Sequence, residues 1–295
     1  MDNTTQPIPR RSMLFVPGLR PDRFRKALVS GADVVCIDLE DAVAITHKDE
    51  ARDLTLPLFA EENPSGCERV LRINSLDTVH GLRDVEALTR VELVPDAVML
   101  TKVRSAAEIK LLEELLQGGR TASIKFYVTL ETNQGLEDVF DIAGASPRMA
   151  CLLFGEVDLS ADLRCKRTSK ALLYARSRMA HAAAAFALDA MDVPHIHLED
   201  MDGLRVAAEH AAELGFTGKA CIHPTQIPVV HEYFTPSAEE VARAEQAVEA
   251  FKESGSSGLA VLNGLMLQKP VLRSSQRILA LAKQSGAQHK VAVQA

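Results

Sequence analysis

The chain has 295 residues, 47% of them hydrophobic and 25% charged, enough to bury a full core without disulfide or metal staples. A net charge of -7 at pH 7 offers no basic surface to nucleic acid or to an anionic membrane. No apolar run approaches the roughly 18 residues of a membrane span.

The opening MDNTTQPIPRR is polar and lacks the apolar stretch of a secretory signal. From there, short apolar runs alternate with segments of helical period. The runs are 13–18, 33–41, 69–74, 96–102, 125–132, 150–158, 188–195 and 218–224. Each has the β-branched or apolar core of a strand buried on both faces. Between them, Ser105 and Glu108 form a capping box for the fourth helical segment, and 169–188 is rich in Ala and Leu. Asp202 is placed to cap the helix that Gly215 ends. Eight strand–helix alternations predict a (β/α)8 TIM barrel over residues 1–235; a doubly wound sheet would use fewer strands. Residues 236–295 break the rhythm and read as a C-terminal helical extension, a lid or a subunit contact, opened by a second capping box at Ser237 and Glu240. Five cysteines without a C-x-x-C pair point to reduced thiols and a cytoplasmic setting.

Polar residues gather where the strands end, which is where barrels of this kind carry their chemistry. Asp38, Glu40 and Asp41 follow the second run, Arg72 and Asn74 the third, and Lys102 the fourth. Glu131 follows the fifth, Glu156 and Asp158 the sixth, and His195 and His223 close the last two. Such carboxylates can simply cap the next helix, as Asp41 or Asp162 could. Glu131 differs, because Thr132, Asn133 and Gly135 behind it can do the turn work. An acid ending an apolar strand is costly to bury without a cation or donor. Glu131 and Asp158 can supply two hard oxygen ligands, a set that suits Mg²⁺ better than zinc. His195 and His197 form a rival zinc pair, but Pro194 interrupts the strand and no complete ligand set accompanies them. Lys102 reads either as a Schiff-base lysine or as an ion-paired one that orients substrate. No G-x-S-x-G or P-loop motif is present.

RSMLFVPG at 11–18, DVVCIDLEDAV at 33–43, LRINSLDTVHG at 71–81, ETNQGL at 131–136, FGEVDLSADL at 154–163 and GKACIHPTQI at 218–227 occur in that order. Together, and over nearly the whole chain, they resemble the citrate lyase β-subunit and malyl-CoA lyase group of the HpcH/HpaI aldolase superfamily. The resemblance implies a (β/α)8 barrel, trimeric or hexameric, that uses Mg²⁺ to cleave or form a carbon–carbon bond. The implied substrate is a short hydroxy-dicarboxylyl thioester: malyl-CoA, citramalyl-CoA, or a citryl thioester carried by an acyl-carrier protein. The products are a carbonyl acid, such as a 2-oxo acid, and an acyl thioester.

The same resemblance implies Glu131 and Asp158 as the Mg²⁺ ligands and Arg72 as the contact to the substrate's carbonyl or carboxylate oxygens. It implies Glu40 and Asp41 as an acidic pair that orders water and supports the arginine. It also places Arg11 near the substrate or its carrier. One position departs from the pattern. The CoA-lyase relatives deliver an Asp from a neighbouring subunit within G-x-M-[IV]-D-x-P-V, whereas GLMLQKPV at 264–271 has Gln268 there. An amide cannot act as a carboxylate base. Two other readings therefore stay open: a paralogue that binds metal and 2-oxo acid without efficient turnover, and an aldolase for free hydroxy-oxo acids.

Overall fold

Residues 9–254, 259–262 and 265–292 are described by the structure, a computed structural model. The apolar runs form parallel strands that close into a barrel in chain order, with β8 beside β1. The first half comprises β1 (Ser12–Pro17), α1 (Pro21–Ala27), β2 (Val34–Asp38), α2 (Lys48–Thr55), β3 (Glu68–Arg72), α3 (Val79–Arg90), β4 (Ala97–Leu100) and α4 (Ala106–Leu115). The second half comprises β5 (Lys125–Leu130), α5 (Asn133–Glu137), α6 (Val139–Ala143), β6 (Met149–Phe154), α7 (Glu156–Asp162) and α8 (Ser169–Ala185). It ends with β7 (Asp189–Asp192), α9 (Met201–Glu213), β8 (Gly218–Cys221) and α10 (Gln226–Phe234). The fold is the TIM barrel that the alternation predicts.

Register decides which residues meet at the strand ends. Asp38 and Arg72 are direct partners across β2 and β3. Leu130 and Phe154 pair across β5 and β6, so the residues that follow, Glu131 and Gly155, are brought side by side. The interior is packed with Met13, Cys36, Val70, Met99, Tyr127, Leu153 and Met191. Below it, at the N-terminal ends, Arg10 closes the barrel floor. Its Nε donates to Glu68 at 2.5 Å and its Nη1 to Asp189 at 2.8 Å, while the Tyr127 hydroxyl donates to Glu68 at 2.8 Å.

The chain divides into two compact units, Arg10–His231 and a second that contains the described residues from Glu232 on. The second holds α11 (Ala238–Glu253), β9 (Leu259–Leu262), β10 (Leu265–Gln268) and α12 (Lys269–Ala292). Its apolar stretch forms an antiparallel hairpin, with Leu259 opposite Gln268, where periodicity alone assigns no element. Both predicted capping boxes are present. The cap of α9 is not Asp202 but Asp200, whose carboxylate accepts from the Gly203 N–H at 2.9 Å; Asp202 falls inside the first turn. All five cysteines are free and four are buried; burial pushes the Cys221 thiol up to about 12, so it is inert. Among the described residues, no helix is long and apolar enough to cross a membrane.

The floor network makes a testable prediction. Glu68→Ala leaves Arg10 buried without its main partner, a loss of about 3–5 kcal/mol. Urea unfolding should show it as a lower midpoint with an unchanged slope.

Candidate active site

At the C-terminal ends of the strands lies a cavity of about 1010 Å³. Asp38, Asp41, Arg72, Glu131 and Asp158 line it, with Phe15, Phe154 and Ile222 among its apolar walls and Arg20, Arg23 and Lys26 from the α1 region along one side.

Arg72 is the best-fixed side chain of the group. Its Nε donates to Asp38 Oδ1 at 2.7 Å and its Nη2 to Asp38 Oδ2, a bidentate pair. Its guanidinium carbon stands 5.1 Å from the centre of the Phe15 ring, a cation–π contact. Its Nη1 lies 3.7 Å from Glu40. Burial works against the charge on Arg72, but Asp38 and Glu40 outweigh it and hold the guanidinium protonated. Asp38 is itself fixed by its own loop: it accepts from the N–H groups of Glu40 at 2.8 Å and Ala42 at 3.0 Å. The buried ammonium of Lys48 donates to the carbonyls of Leu39 and Glu40 at 2.9 and 2.6 Å, which sets the backbone of the acidic pair. Glu40 and Asp41 share the Lys102 ammonium: Lys102 donates to Glu40 and lies 3.4 Å from Asp41. Burial raises the Glu40 carboxyl. It also opposes the charge of Asp41, but Glu40, Lys102 and Arg72 prevail and hold Asp41 low. One acid of the pair is thus biased toward its neutral form and the other toward its charged form.

Glu131 follows β5 and is 4% exposed. Thr132 does the local turn work, accepting from the Gly135 N–H at 2.9 Å and donating to the Val103 carbonyl at 2.8 Å. That leaves the Glu131 carboxylate to accept from the Lys102 N–H at 2.7 Å. Burial pushes the Glu131 carboxyl up to about 8, with Glu40 and Asp158 adding to the rise. Gly155 makes room for it: a Cβ there would lie 2.5 Å from Glu131 Cβ and 2.8 Å from Glu131 Oε2. A desolvated carboxylate, a second carboxylate repelling it and a cleared space beside it together suit a hard divalent cation. Among the described residues no group of three His, Cys, Asp or Glu side chains is clustered for a metal. Two carboxylates, with water and ligand oxygens completing the shell, are an arrangement that Mg²⁺ ordinarily accepts.

The family model for HpcH/HpaI aldolase/citrate lyase matches residues 11–224. The chain belongs to the HpcH/HpaI aldolase/citrate lyase family. Membership makes it a carbon–carbon lyase. The citrate lyase subunit beta of Leuconostoc mesenteroides subsp. cremoris is 33% identical over 283 residues, covering 92% of this chain and 93% of its own. The mitochondrial citramalyl-CoA lyase of Rattus norvegicus is 32% identical over 292 residues, covering 93% of this chain and 86% of its own. The solved structure of protein CitE from Mycobacterium tuberculosis, in complex with magnesium, acetoacetate and coenzyme A, is 34% identical with a TM-score of 0.75. It covers 92% of this chain and 98% of that one.

The structure brings Glu40, Asp41, Arg72, Glu131 and Asp158 of this family member to one end of the barrel. Asp158 does not end a strand, as the run 150–158 suggests; it sits in the first turn of α7. Arg11 is not in the group. It precedes β1, at the opposite end of the barrel, and its Nε and Nη2 donate to buried Asp33 at 2.8 and 2.9 Å, so it braces the floor end. His195 and His197 lie in the loop after β7, their rings 5.8 Å apart edge to face, with His195 Nε2 3.3 Å from Asp200. Lys102 is ion-paired. Gln268 ends β10 in the second unit and is exposed.

Three features escaped sequence reasoning. Asp38 reads as one of several strand-end acids until pairing register sets it against Arg72. Gly155 looks like a turn glycine, though its signal was its place one residue past β6. The basic side of the cavity, Arg20, Arg23 and Lys26, lies in a segment with no strand-end signature.

Glu131 makes a pH prediction. Its folded value, about 8, lies above the ordinary 4.5, so its stabilising contribution is full below about 4.5 and is lost as pH rises toward 8. In metal-free solution, the stability difference between the wild type and Glu131→Gln should shift against the wild type across that window. Denaturant melts at stepped pH measure it, and a difference that stays flat would refute the buried-acid assignment.

Proposed function

We propose that the protein is a Mg²⁺-dependent lyase that cleaves a short hydroxy-dicarboxylyl thioester, with malyl-CoA and citramalyl-CoA the leading substrates and a citryl thioester next. The observation that carries this reading is the convergence of Glu131, Asp158 and the Asp38-anchored Arg72 on one cavity. The relatives named above supply the substrate class. Arg23 and Lys26 offer cations to the phosphates of a CoA carrier on the same cavity, while Arg20 is paired with Asp22 beside them.

Glu131 and Asp158 would hold Mg²⁺, which would supply Lewis acidity toward the oxo-acid half of the substrate. Arg72 does the electrostatic work. Breaking the bond between the carbinol carbon and the thioester α-carbon sends an electron pair into the thioester carbonyl, and its oxygen becomes anionic. A guanidinium already fixed by Asp38 and Phe15 meets that charge without reorganising. The hydroxyl proton leaves as the new carbonyl forms, and the α-carbon takes a proton back to complete the acyl thioester. Glu40 and Asp41 order the water that accepts the first proton, because Gln268 cannot serve as the base. The reading includes a homotrimer or hexamer in the cytoplasm, with CoA or an acyl-carrier protein as the carrier.

The test mixes purified protein and Mg²⁺ with malyl-CoA, citramalyl-CoA and citryl-CoA and follows oxo-acid release. Cleavage of at least one is expected, with Arg72→Lys lowering kcat about 100-fold and Glu131→Gln abolishing the response to Mg²⁺. No cleavage of any thioester beside a working malyl-CoA lyase control would sink the reading.

Gln268 favours a second reading, a paralogue that binds metal and oxo acid but turns over slowly. Gln268→Asp decides between them. A gain in kcat of about 100-fold or more supports a lost base; an unchanged kcat shows that water at Glu40 and Asp41 suffices.

A further inference from the structure

Lys102 follows β4 with a φ of +56°. Among the described residues, two other non-glycine residues share the left-handed region, Arg164 and Ala187. Both stand just past the ends of helices, α7 and α8, where that conformation is an ordinary way to stop a helix. Lys102 stops no helix. A bulky residue held in this region is strained, and strain of this kind gathers where geometry serves function.

Its contacts show what the strain achieves. The Lys102 N–H is committed to Glu131 at 2.7 Å, and its ammonium is committed to Glu40 and lies 3.4 Å from Asp41. One residue thereby ties the loop after β2 to the end of β5, across β3, which carries Arg72. Asp38, Glu40, Asp41, Glu131 and Asp158 are among the carboxylates at this end of the barrel, and Arg72, Lys102 and the buried Lys48 ammonium are among the cations beside them. Besides Lys102, the Glu40 carboxylate has Arg72 at 3.7 Å, while the Lys48 ammonium is held on the Glu40 carbonyl at 2.6 Å.

We propose that Lys102 is a positioning residue whose ammonium holds Glu40 and Asp41, restraining Glu40 from closing the 3.7 Å gap to Arg72, and moderates the site's hold on a divalent cation. The inference rests on the lyase reading above. It makes two predictions of opposite sign, because removing a positive charge near Glu131 strengthens cation binding while Arg72 is drawn away from substrate.

Lys102→Met and Lys102→Gln remove the charge and Lys102→Arg keeps it. Each variant is checked for folding by circular dichroism, titrated with Mg²⁺ by calorimetry and assayed with the thioester that the wild type cleaves. In both neutral variants kcat should fall about 10-fold or more with thioester KM within about 3-fold, while Mg²⁺ binds roughly 3- to 10-fold tighter. Lys102→Arg should bring both back to within about 3-fold of the wild type. A residue that only supports the fold would weaken metal binding and turnover together. Unchanged or weaker Mg²⁺ binding, an unchanged kcat, or failure of both neutral variants to fold would each overturn the proposal. If the wild type cleaves no thioester, the lyase reading fails and the Mg²⁺ titration alone decides the role of Lys102. If the wild type binds no Mg²⁺, both fall.

Discussion

The bidentate pair between Arg72 and Asp38 is the constraint on which the rest of the site depends. It exists because β2 and β3 align with these two residues as direct partners. An arginine at the mouth of a barrel is a flexible cation unless something holds both edges of its guanidinium. Here Asp38 holds one edge and Phe15 supports the plane. Asp38 is in turn fixed by the N–H groups of its own loop. The order of cause runs from strand register to carboxylate and from carboxylate to guanidinium, the group that the proposed reaction would use.

Around that pair the protein keeps several carboxylates closer than they would settle alone. Burial raises both the Glu131 and the Glu40 carboxyls, which is a cost of holding them there. In a domain stable by only about 5–15 kcal/mol, such groups are tolerated because other parts of the barrel are conservative. The strands carry apolar side chains on both faces, and the buried charges at the floor are fully partnered.

The sequence made the barrel and most of the acids legible, for a physical reason. Strand runs buried on both faces leave a continuous apolar signal, and polar residues that interrupt it stand out by position. Glu131 was identifiable because three residues behind it could handle the turn, and Thr132 does so. Pairings across strands were not legible. Asp38, Glu40 and Asp41 are neighbours in sequence, and only register assigns Asp38 to Arg72 and the other two to Lys102. Arg11 shows the reverse error: a motif places it near the chemistry, while its position ahead of β1 puts it at the other end of the barrel, on Asp33. The apolar segment in the second unit had the composition of a strand or a helix. Its hairpin pairing is a tertiary choice that periodicity cannot make.

The sealed floor built by Arg10, Glu68, Asp189 and Tyr127 bears on traffic as well as stability. Among the described residues, ion pairs below and packed side chains above them fill the barrel from its floor, so the cavity opens at the C-terminal ends of the strands. On the lyase reading, the fragment held against Glu131 and Arg72 is the one farthest from that mouth.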